Sequence, residues 1–416
     1  MISFDLNFIY DYLIDGLLGL SLLATLWIAI FYCLRIAKVR RYARLHDASV
    51  PKHDEPAGSG EEYADEIGAV NQSDEQLPPL SVIVYCKDSS AGLSRMLPLM
   101  LEQKYPGRFE VIVTTDGRSS YAEDVVTLLS NKYRNLRMTY VPDEAHALSR
   151  QKLAMTLGVK AAKHDYVLLT DANVIVPSDY WLALMARHFA DGKEIVIGIC
   201  NPIGPEGTSE KQMASFDTLA DTVTYLTAAI SGHPYRGNSM NLAFLRRKFF
   251  DNHGFAQSVG YHHGIDDIFL SQIADGSNTT VEISADAIPR LECYNLRTHH
   301  LIDKLQHIFT GKRVDSSSRR FFATGSLAMW IWLGTTVACG VFGFPNLLPL
   351  AISLGMGLIW MIISCITWKR CGRVLGIRIS AALLPLRMLW RPISNFIYRI
   401  RSRSNRSSNY TWAKGF

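Results

Sequence analysis

The stretch YVLLTDAN at residues 166–173 decides the fold, because a short apolar run ends there directly at an acidic residue, Asp171. Two runs of the same kind precede it, LSVIVY at residues 80–85 and FEVIVT at residues 109–114. Continuous apolar runs of this length are typical of strands that are buried on both faces of a parallel sheet. Acidic residues just beyond such strands lie on the rim of an open α/β sheet, where ligands bind.

The segments around these runs predict helices and a further strand. Apolar residues at helical spacing occupy residues 93–103 and 147–163, and the second segment carries Lys152 near its start. Another apolar run, EIVIGIC at residues 194–200, predicts a strand. The alternation therefore predicts an α/β domain with a mainly parallel open sheet over residues 80–320.

Three segments outside this domain are apolar enough to cross a membrane as helices, for which about 20 residues are needed. They are residues 13–34, 321–342 and 347–368. Basic residues flank them on the side of the central domain, which predicts a cytoplasmic domain in a multi-pass inner (plasma) membrane protein. A fourth segment, residues 377–400, mixes arginines with apolar residues and predicts an amphipathic helix in the membrane interface. The predicted order is an N-terminal anchor (1–45), a disordered acidic linker (46–79), the central domain (80–320), a transmembrane hairpin (321–368), and the interfacial helix with a basic tail (369–416).

Composition narrows the function classes. Of the 416 residues, 48% are hydrophobic and 19% are charged, a balance that membrane segments explain. The net charge of +5 is modest, and the basic residues concentrate beside the apolar segments, which favours membrane orientation over nucleic-acid binding. The seven cysteines form no CxxC pair, so a reducing compartment and no structural metal cluster are expected.

Several motifs occur in the order found in a known family. They are EQKYP (102–106), FEVIVTTDGRSS (109–120), SRQKLA (149–154), YVLLTDAN (166–173), GNSMNLAF (237–244) and GIDDIFLSQIADG (264–276). The set resembles the GT-A domain of membrane-bound family 2 glycosyltransferases and is most similar to ceramide glucosyltransferase-like enzymes and related bacterial members. The resemblance implies inverting transfer of a sugar from a UDP- or GDP-sugar donor to a lipid or lipid-linked glycan acceptor, with Mg²⁺ or Mn²⁺ as the cofactor.

The resemblance assigns donor binding to the first part of the domain. Asp116 matches the aspartate that meets the donor base, Asp88 is expected to shape the same pocket, and Lys152 joins the substrate-binding set. Asp171 matches the first acid of the DxD element that binds the divalent cation, and Asn173 replaces the second acid with a neutral oxygen ligand. Oxygen ligands suit Mg²⁺ or Mn²⁺. Taken singly, acids that follow strands are also ordinary loop caps.

An acidic pair follows later in the chain. Asp267 matches the catalytic base of the family, which takes the proton of the acceptor hydroxyl as its oxygen attacks the anomeric carbon. Asp266 beside it would raise the pKa of its neighbour by like-charge repulsion if both are buried. Acids at this place also suit the N-terminus of a helix, where the dipole favours negative charge. Both interpretations stay open.

The QxxRW motif of the family is not legible after the acidic pair. Near its expected place stand DKLQH at residues 303–307 and then Lys312 and Arg313. A cation is needed to stabilise the leaving diphosphate, and Lys304, Lys312 or Arg313 is a candidate. Basic residues at this place would equally rest on lipid headgroups ahead of a membrane helix.

Two pairs of adjacent histidines, at residues 262–263 and 299–300, raise the question of a metal site. Neighbours in sequence rarely point at one ion, so we predict roles in a polar loop or the acceptor groove.

Two other functions stay open beside a lipid-directed glycosyltransferase. Asn173 and the missing QxxRW motif favour a catalytically inactive GT-A scaffold that binds a nucleotide or a partner enzyme. A processive polysaccharide synthase is less favoured, because a polymer channel within one chain needs more than three membrane spans.

Overall fold

The computed structural model describes residues 6–47, 77–87, 92–145, 149–204, 209–293, 295–314 and 316–404. Asp88, most of the predicted linker (46–79) and the last part of the basic tail lie outside the described residues.

Ten strands within these ranges form two sheets. In chain order they are β1 (Leu80–Cys86), β2 (Phe109–Thr115), β3 (Leu136–Tyr140), β4 (Tyr166–Asp171), β5 (Val174–Ile175), β6 (Ile195–Ile197), β7 (Asn201–Ile203), β8 (Leu242–Leu245), β9 (Thr279–Val281) and β10 (Arg290–Glu292). The large sheet has the order β3-β2-β1-β4-β8-β6-β9, and the small sheet has the order β5-β10-β7. The first four strands are parallel, whereas β8 runs antiparallel to both of its neighbours. The predicted α/β class with a mainly parallel sheet is confirmed.

The helices complete the α/β arrangement. They are α1 (Leu6–Asp47), α2 (Leu93–Leu101), α3 (Ser120–Ser130), α4 (Arg150–Ala161), α5 (Trp181–Ala190), α6 (Ser209–Ile230), α7 (Arg246–Asp251), α8 (Leu270–Ile273), α9 (Leu296–Thr310), α10 (Ser316–Phe342), α11 (Leu348–Val374) and α12 (Leu384–Ser404). Side chains fix the start of several helices: Ser119 accepts from the backbone N–H of Ala122, and Ser149 accepts from that of Lys152. These caps satisfy N–H groups that the first helical turn leaves without partners.

The order of the strands creates a crevice at one edge of the large sheet. All seven residues of β1 are buried, which explains its unbroken apolar sequence. From β1 the chain builds outward through β2 to β3 on one side, and β4 pairs on the other side. The direction of winding therefore reverses between β1 and β4, and ligands of open α/β sheets bind beyond the carboxyl ends of such strands.

One predicted strand is shorter than expected. The run at residues 194–200 forms β6 only over Ile195–Ile197. Gly198 then lies so close to the side chain of Asn241 that a Cβ there would collide with its amide. The chain leaves the large sheet at this point and joins the small sheet as β7.

Three helices are long and apolar enough to span a membrane, Tyr12–His46, Thr324–Phe342 and Leu348–Val374. They coincide with the three predicted spans. The hydroxyl of Ser353 in α11 lies 2.7 Å from that of Ser21 in α1 and 2.7 Å from that of Thr336 in α10. Polar contacts between small residues of this kind join helices inside a membrane.

Helices from both ends of the chain, α1 and α12, contact the central domain. In α1, Tyr42 donates a hydrogen bond to the carbonyl of Val281 in β9 at 2.9 Å. The predicted interfacial segment forms α12, whose Arg391 donates to Asp217 at 2.9 Å and to Asp221 at 2.6 Å, both in α6. The central domain is therefore held against helices from both ends of the chain.

Candidate active site

Asp171 closes β4 at the crevice, directly opposite Tyr85 of β1. Its Oδ1 accepts hydrogen bonds from the backbone N–H of Asn173 at 2.9 Å and from the Asn173 amide at 3.1 Å. Burial raises the pKa of Asp171 to about 6, although both hydrogen bonds oppose that rise. No described lysine, arginine or histidine forms an ion pair with this carboxyl group. A partly buried carboxylate that pairs with no described cation and lies next to the Asn173 side chain fits a divalent metal ion whose other ligands would come from a diphosphate.

The N-terminus of α2 lies against the turn formed by residues 171–173. A Cβ on Gly92, which precedes this helix, would stand 2.8 Å from the carbonyl oxygen of Ala172 and 3.1 Å from Oδ1 of Asn173. Only glycine therefore permits this close approach. Because the positive end of a helix dipole and its free N–H groups favour anions, the same corner suits phosphate oxygens.

Asp116 follows β2 on the other side of β1. Tyr85 donates a hydrogen bond to its Oδ2 at 3.2 Å, and the guanidinium of Arg150 in α4 donates to its backbone carbonyl. Burial and the charge of Asp116 both raise the pKa of Tyr85, so this phenol stays a donor. Asp116 and Asp171 follow strands two positions apart in the sheet, a separation of roughly 10 Å. They therefore lie along one edge, as the sequence predicts.

The acidic pair lies in a short π-helical turn, Ile265–Phe269, and is tied to residues 237–239. The backbone N–H of Gly237 donates to the carbonyl of Asp266 at 2.8 Å, and that of Ser239 donates to its carboxylate. Asp267 is only 3% exposed, and its Oδ1 accepts from the N–H of Ile268 at 2.7 Å. The two acids thus point in different directions from adjacent positions.

Helix α9 supplies the partners of Asp267. Its Oδ2 accepts from Nδ1 of His307 at 3.2 Å and from the hydroxyl of Thr310. The Nε2 of His307 lies 3.1 Å from Oδ1 of Asp303. Burial alone would raise the pKa of Asp267, but the hydrogen bond and the charge of His307, with the bond from Thr310, lower it to about 2. Burial and Arg236 oppose protonation of His307, but Asp303 and Asp267 outweigh them and raise its pKa to about 10. At neutral pH an imidazolium therefore bridges two carboxylates.

Two pockets meet at this network. The first, which we call the polar pocket, has a volume of about 1090 Å³ including its open mouth and is lined by residues such as Asp266, Ser239, Tyr225 and Cys200. The second, the membrane-side cavity, has a volume of about 1830 Å³ on the same basis and reaches Phe31 and Tyr32 of α1 and Ser326 of α10. Asp267 lines only the second of these, whereas Arg236, Asp221, His307 line both.

Lys152 and Lys304, two of the predicted substrate-binding residues, have different partners. Lys152 donates to the carbonyls of Ser258, of Tyr261 at 2.8 Å and of His263 at 2.9 Å, so it fixes the loop that leads to the acidic pair. Lys304 lines the polar pocket but forms a buried ion pair with Asp217.

Lys312 and Arg313 follow α9. Lys312 is exposed and lines the membrane-side cavity. The guanidinium of Arg313 lies over the rings of Tyr261 at 4.3 Å and Phe309 at 4.9 Å, a cation–π arrangement. The four histidines at residues 262–263 and 299–300 line the polar pocket.

Sequence reasoning missed four residues of the site. Arg236 directly precedes the motif at residues 237–244 but was not singled out, Asp303 and His307 were noted only as the place where QxxRW was expected, and Thr310 was not noted. A usable signal is the spacing of Asp303, His307 and Thr310, which puts all three on one face of a helix.

A switch-point crevice with acids at the ends of β2 and β4, and an acidic pair whose two members line adjoining pockets, is the arrangement of a glycosyltransferase domain of the GT-A type. The chain belongs to glycosyl transferase family 21, whose family model matches residues 59–392. The predicted enzyme class and the resemblance to ceramide glucosyltransferase-like proteins are confirmed.

Two known proteins illustrate the likeness. A mannosyltransferase from Pyrobaculum calidifontis, solved in complex with GDP-Man and Mn²⁺, aligns with a TM-score of 0.50 at 17% identity, over 88% of this chain and 99% of that chain. This likeness shows the fold. A hyaluronan synthase from Pasteurella multocida is 30% identical over 120 residues, which is 29% of this chain and 12% of that protein. The chain therefore spans about an eighth of the length of this relative.

Proposed function

We propose that this protein is an inverting glycosyltransferase that moves a sugar from a UDP- or GDP-sugar to a lipid or lipid-linked glycan at the cytoplasmic face of the membrane. The observation that carries the proposal is the position of Asp267. Asp267 lines the cavity bounded by α1, α10 and α12, and its neighbour Asp266 lines the polar pocket of the sheet domain. An ionised carboxylate at this place suits removal of the proton from an acceptor hydroxyl while the sugar moves to it from a soluble donor.

The donor would lie along the crevice edge. Asp116 faces the nucleoside end, and Asp171 with Asn173 holds the divalent cation. A bound Mg²⁺ or Mn²⁺ would neutralise the diphosphate and stabilise it as the leaving group. Lys304 is already paired with Asp217, so it adds no free cation for the diphosphate.

The chemical step then needs one base. Asp267 takes the proton of the acceptor hydroxyl while its oxygen bonds to the anomeric carbon. The bond from that carbon to the diphosphate breaks on the opposite face, and its electron pair leaves with the diphosphate. The pKa of Asp267, lowered to about 2, keeps this carboxylate ionised at neutral pH.

The substitution Asp267→Asn tests the base. It is nearly isosteric, so donor binding should survive while transfer falls at least about 10²-fold, the usual scale for loss of a general base. Asp266→Asn is the matched control and should be milder, because that side chain bonds to the backbone of Ser239. We would measure sugar transfer and donor binding in parallel. Near-native transfer by Asp267→Asn would leave the pair with a structural role only.

The proposed orientation places residues 80–320 in the cytoplasm of an inner-membrane protein. It is supported by the basic residues next to each span. A reporter fused after Phe416 should be cytoplasmic, and one inserted near Asn346, between α10 and α11, should be external. The opposite pattern would invert the proposed topology.

A further inference from the structure

The membrane-side cavity is unusually rich in cations. Beside Asp267 it is lined by Arg236 of the central domain, Lys312 of the turn after α9, and Arg399 and Arg403 of α12. We propose that this cavity selects an acceptor lipid whose headgroup carries a phosphate, a proposal that rests on the function proposed above. The sugar would go to a hydroxyl of that lipid, next to its phosphate.

Some cations of the cavity wall are already neutralised. Arg391 is bonded to Asp217 and Asp221, and His307 bridges Asp267 and Asp303. These groups maintain the structure and leave no charge to attract an anion.

Burial opposes the charge of Arg236, but the charges of Asp303 and Asp221 raise its pKa, and one of its donors remains unused. The Nε of Arg236 is buried, and no described residue accepts a hydrogen bond from it. The ring of Tyr225 lies 5.7 Å from its guanidinium. A buried charged donor without a hydrogen bond is unfavourable, and an anionic ligand would satisfy it.

Arg399 and Arg403 stand four residues apart on α12 and line the same cavity. Like charges at this spacing repel each other on a helix, and an anion between them removes the penalty. Neither forms an ion pair with any residue in the described part of the chain, and the same holds for Lys312. Three exposed cations from two elements therefore converge on one space.

Apolar and aromatic side chains line another part of the cavity. Phe31 and Tyr32 lie within the first candidate span, and Val314 lies just ahead of α10. A free phosphate would contact the cations but would leave these side chains uncovered. A ligand with a phosphate at one end and hydrocarbon at the other matches both parts of the cavity.

Binding of short-chain lipids to the purified full-length protein tests the proposal. Calorimetry would compare dioctanoyl phosphatidylglycerol, which has a phosphate and hydroxyls, with dioctanoylglycerol, which has a hydroxyl but no phosphate. We expect the phosphate lipid to bind at least about tenfold more tightly, and Arg399→Ala/Arg403→Ala to remove most of that preference, because two charge-assisted contacts are lost. Lys312→Ala is a second, independent variant with the same expected direction.

Arg401→Ala is the matched control, since Arg401 lies on the same helix but not in the cavity lining. Its affinity should change less than about twofold, the scale of a screened surface charge. Equal losses in the control would mean diffuse attraction to the surface, and equal binding of dioctanoylglycerol would mean a neutral acceptor. Displacement of the lipid by inorganic phosphate or by UDP would assign the cations to a free anion or to the donor. Each of these results overturns the proposal.

The two proposals fail in different ways. If UDP with Mn²⁺ binds and Asp267→Asn abolishes transfer, but phosphatidylglycerol shows no preference, only the acceptor class is wrong. If the lipid preference holds but Asp267→Asn transfers normally, the catalytic proposal is wrong and the lipid site remains.

Discussion

Replacing His307 with glutamine is the perturbation that best separates catalysis from structure at this site. The imidazolium donates to Asp267 at 3.2 Å and to Asp303 at 3.1 Å. Glutamine can keep one hydrogen bond but carries no charge. The variant therefore leaves Asp267 almost fully buried and without its cation.

The magnitude follows from the two pKa shifts. The pKa of His307 is raised from 6.5 to about 10, and that of Asp267 is lowered from 3.8 to about 2. Removing one member of a buried ion pair typically costs roughly 3–5 kcal/mol of stability. The stabilisation from His307 is complete below pH 6.5 and is lost as the pH rises through 10, and that from Asp267 is lost as the pH falls through 2. The stability difference from the wild type should therefore be largest between about pH 4 and 6.5 and shrink above about pH 9.

The pH dependence of transfer is the decisive assay. Without the imidazolium, burial dominates and the pKa of Asp267 rises above its ordinary value of 3.8. The acid limb of the kcat profile should then move upward, so the deficit is greatest at low pH and shrinks as the pH rises. Near neutral pH a loss of about 10- to 100-fold is expected from one charge-assisted hydrogen bond.

A purely structural role predicts a different result. It would lower the apparent Tm and scale kcat by the same factor at every pH. A His307→Gln profile parallel to the wild type would therefore refute the link between His307 and the base. His233→Gln is the control, because His233 is exposed and should change neither curve.

Two further predictions concern the donor side and the loop before the acidic pair. Asp171→Ala should abolish Mn²⁺-dependent UDP binding, whereas Asn173→Asp should keep or tighten it by adding a carboxylate ligand; calorimetry with unchanged affinity in Asp171→Ala would remove that residue from the metal site. Lys152→Met leaves three carbonyls without a donor and should destabilise the protein by roughly 3 kcal/mol, at about 1 kcal/mol for each net hydrogen bond. Thermal unfolding measures that loss, and an unchanged Tm would show that the carbonyls find other donors.

The α/β sheet and the two acidic residues at its edge, Asp116 and Asp171, could be predicted from the sequence. Strand β1 could be predicted because both of its faces are buried. Its sequence is therefore an almost unbroken run of apolar residues. Asp116 and Asp171 could be predicted because their place depends only on the ends of β2 and β4. Local pattern and position in the sheet carry that information.

The long-range contacts around the site could not be predicted, because they depend on the packing of residues that are distant in sequence. Arg391 reads as one of several arginines in an amphipathic segment, yet it bonds to Asp217, which lies 174 positions earlier. Lys152 was expected among the substrate-binding residues, but its nitrogen reaches three carbonyls of a loop more than 100 positions away. Neither contact produces a periodic pattern in the sequence from which it could be predicted.

Helix α9 connects the proposed base, Asp267, to the helices that are long and apolar enough to span a membrane. Its residues 303, 307 and 310 face Asp267, while residues 300 and 304 face Asp217, which Arg391 of α12 also binds. These positions follow a spacing of three or four and form a single stripe along the helix. Because α9 leads into α10 after only a few residues, the position of the base is tied to the helix that enters the membrane. An acceptor lying between α10 and α12 would therefore meet the carboxylate at a fixed place. In this chain α9 stands at the place along the sequence where the QxxRW motif was expected.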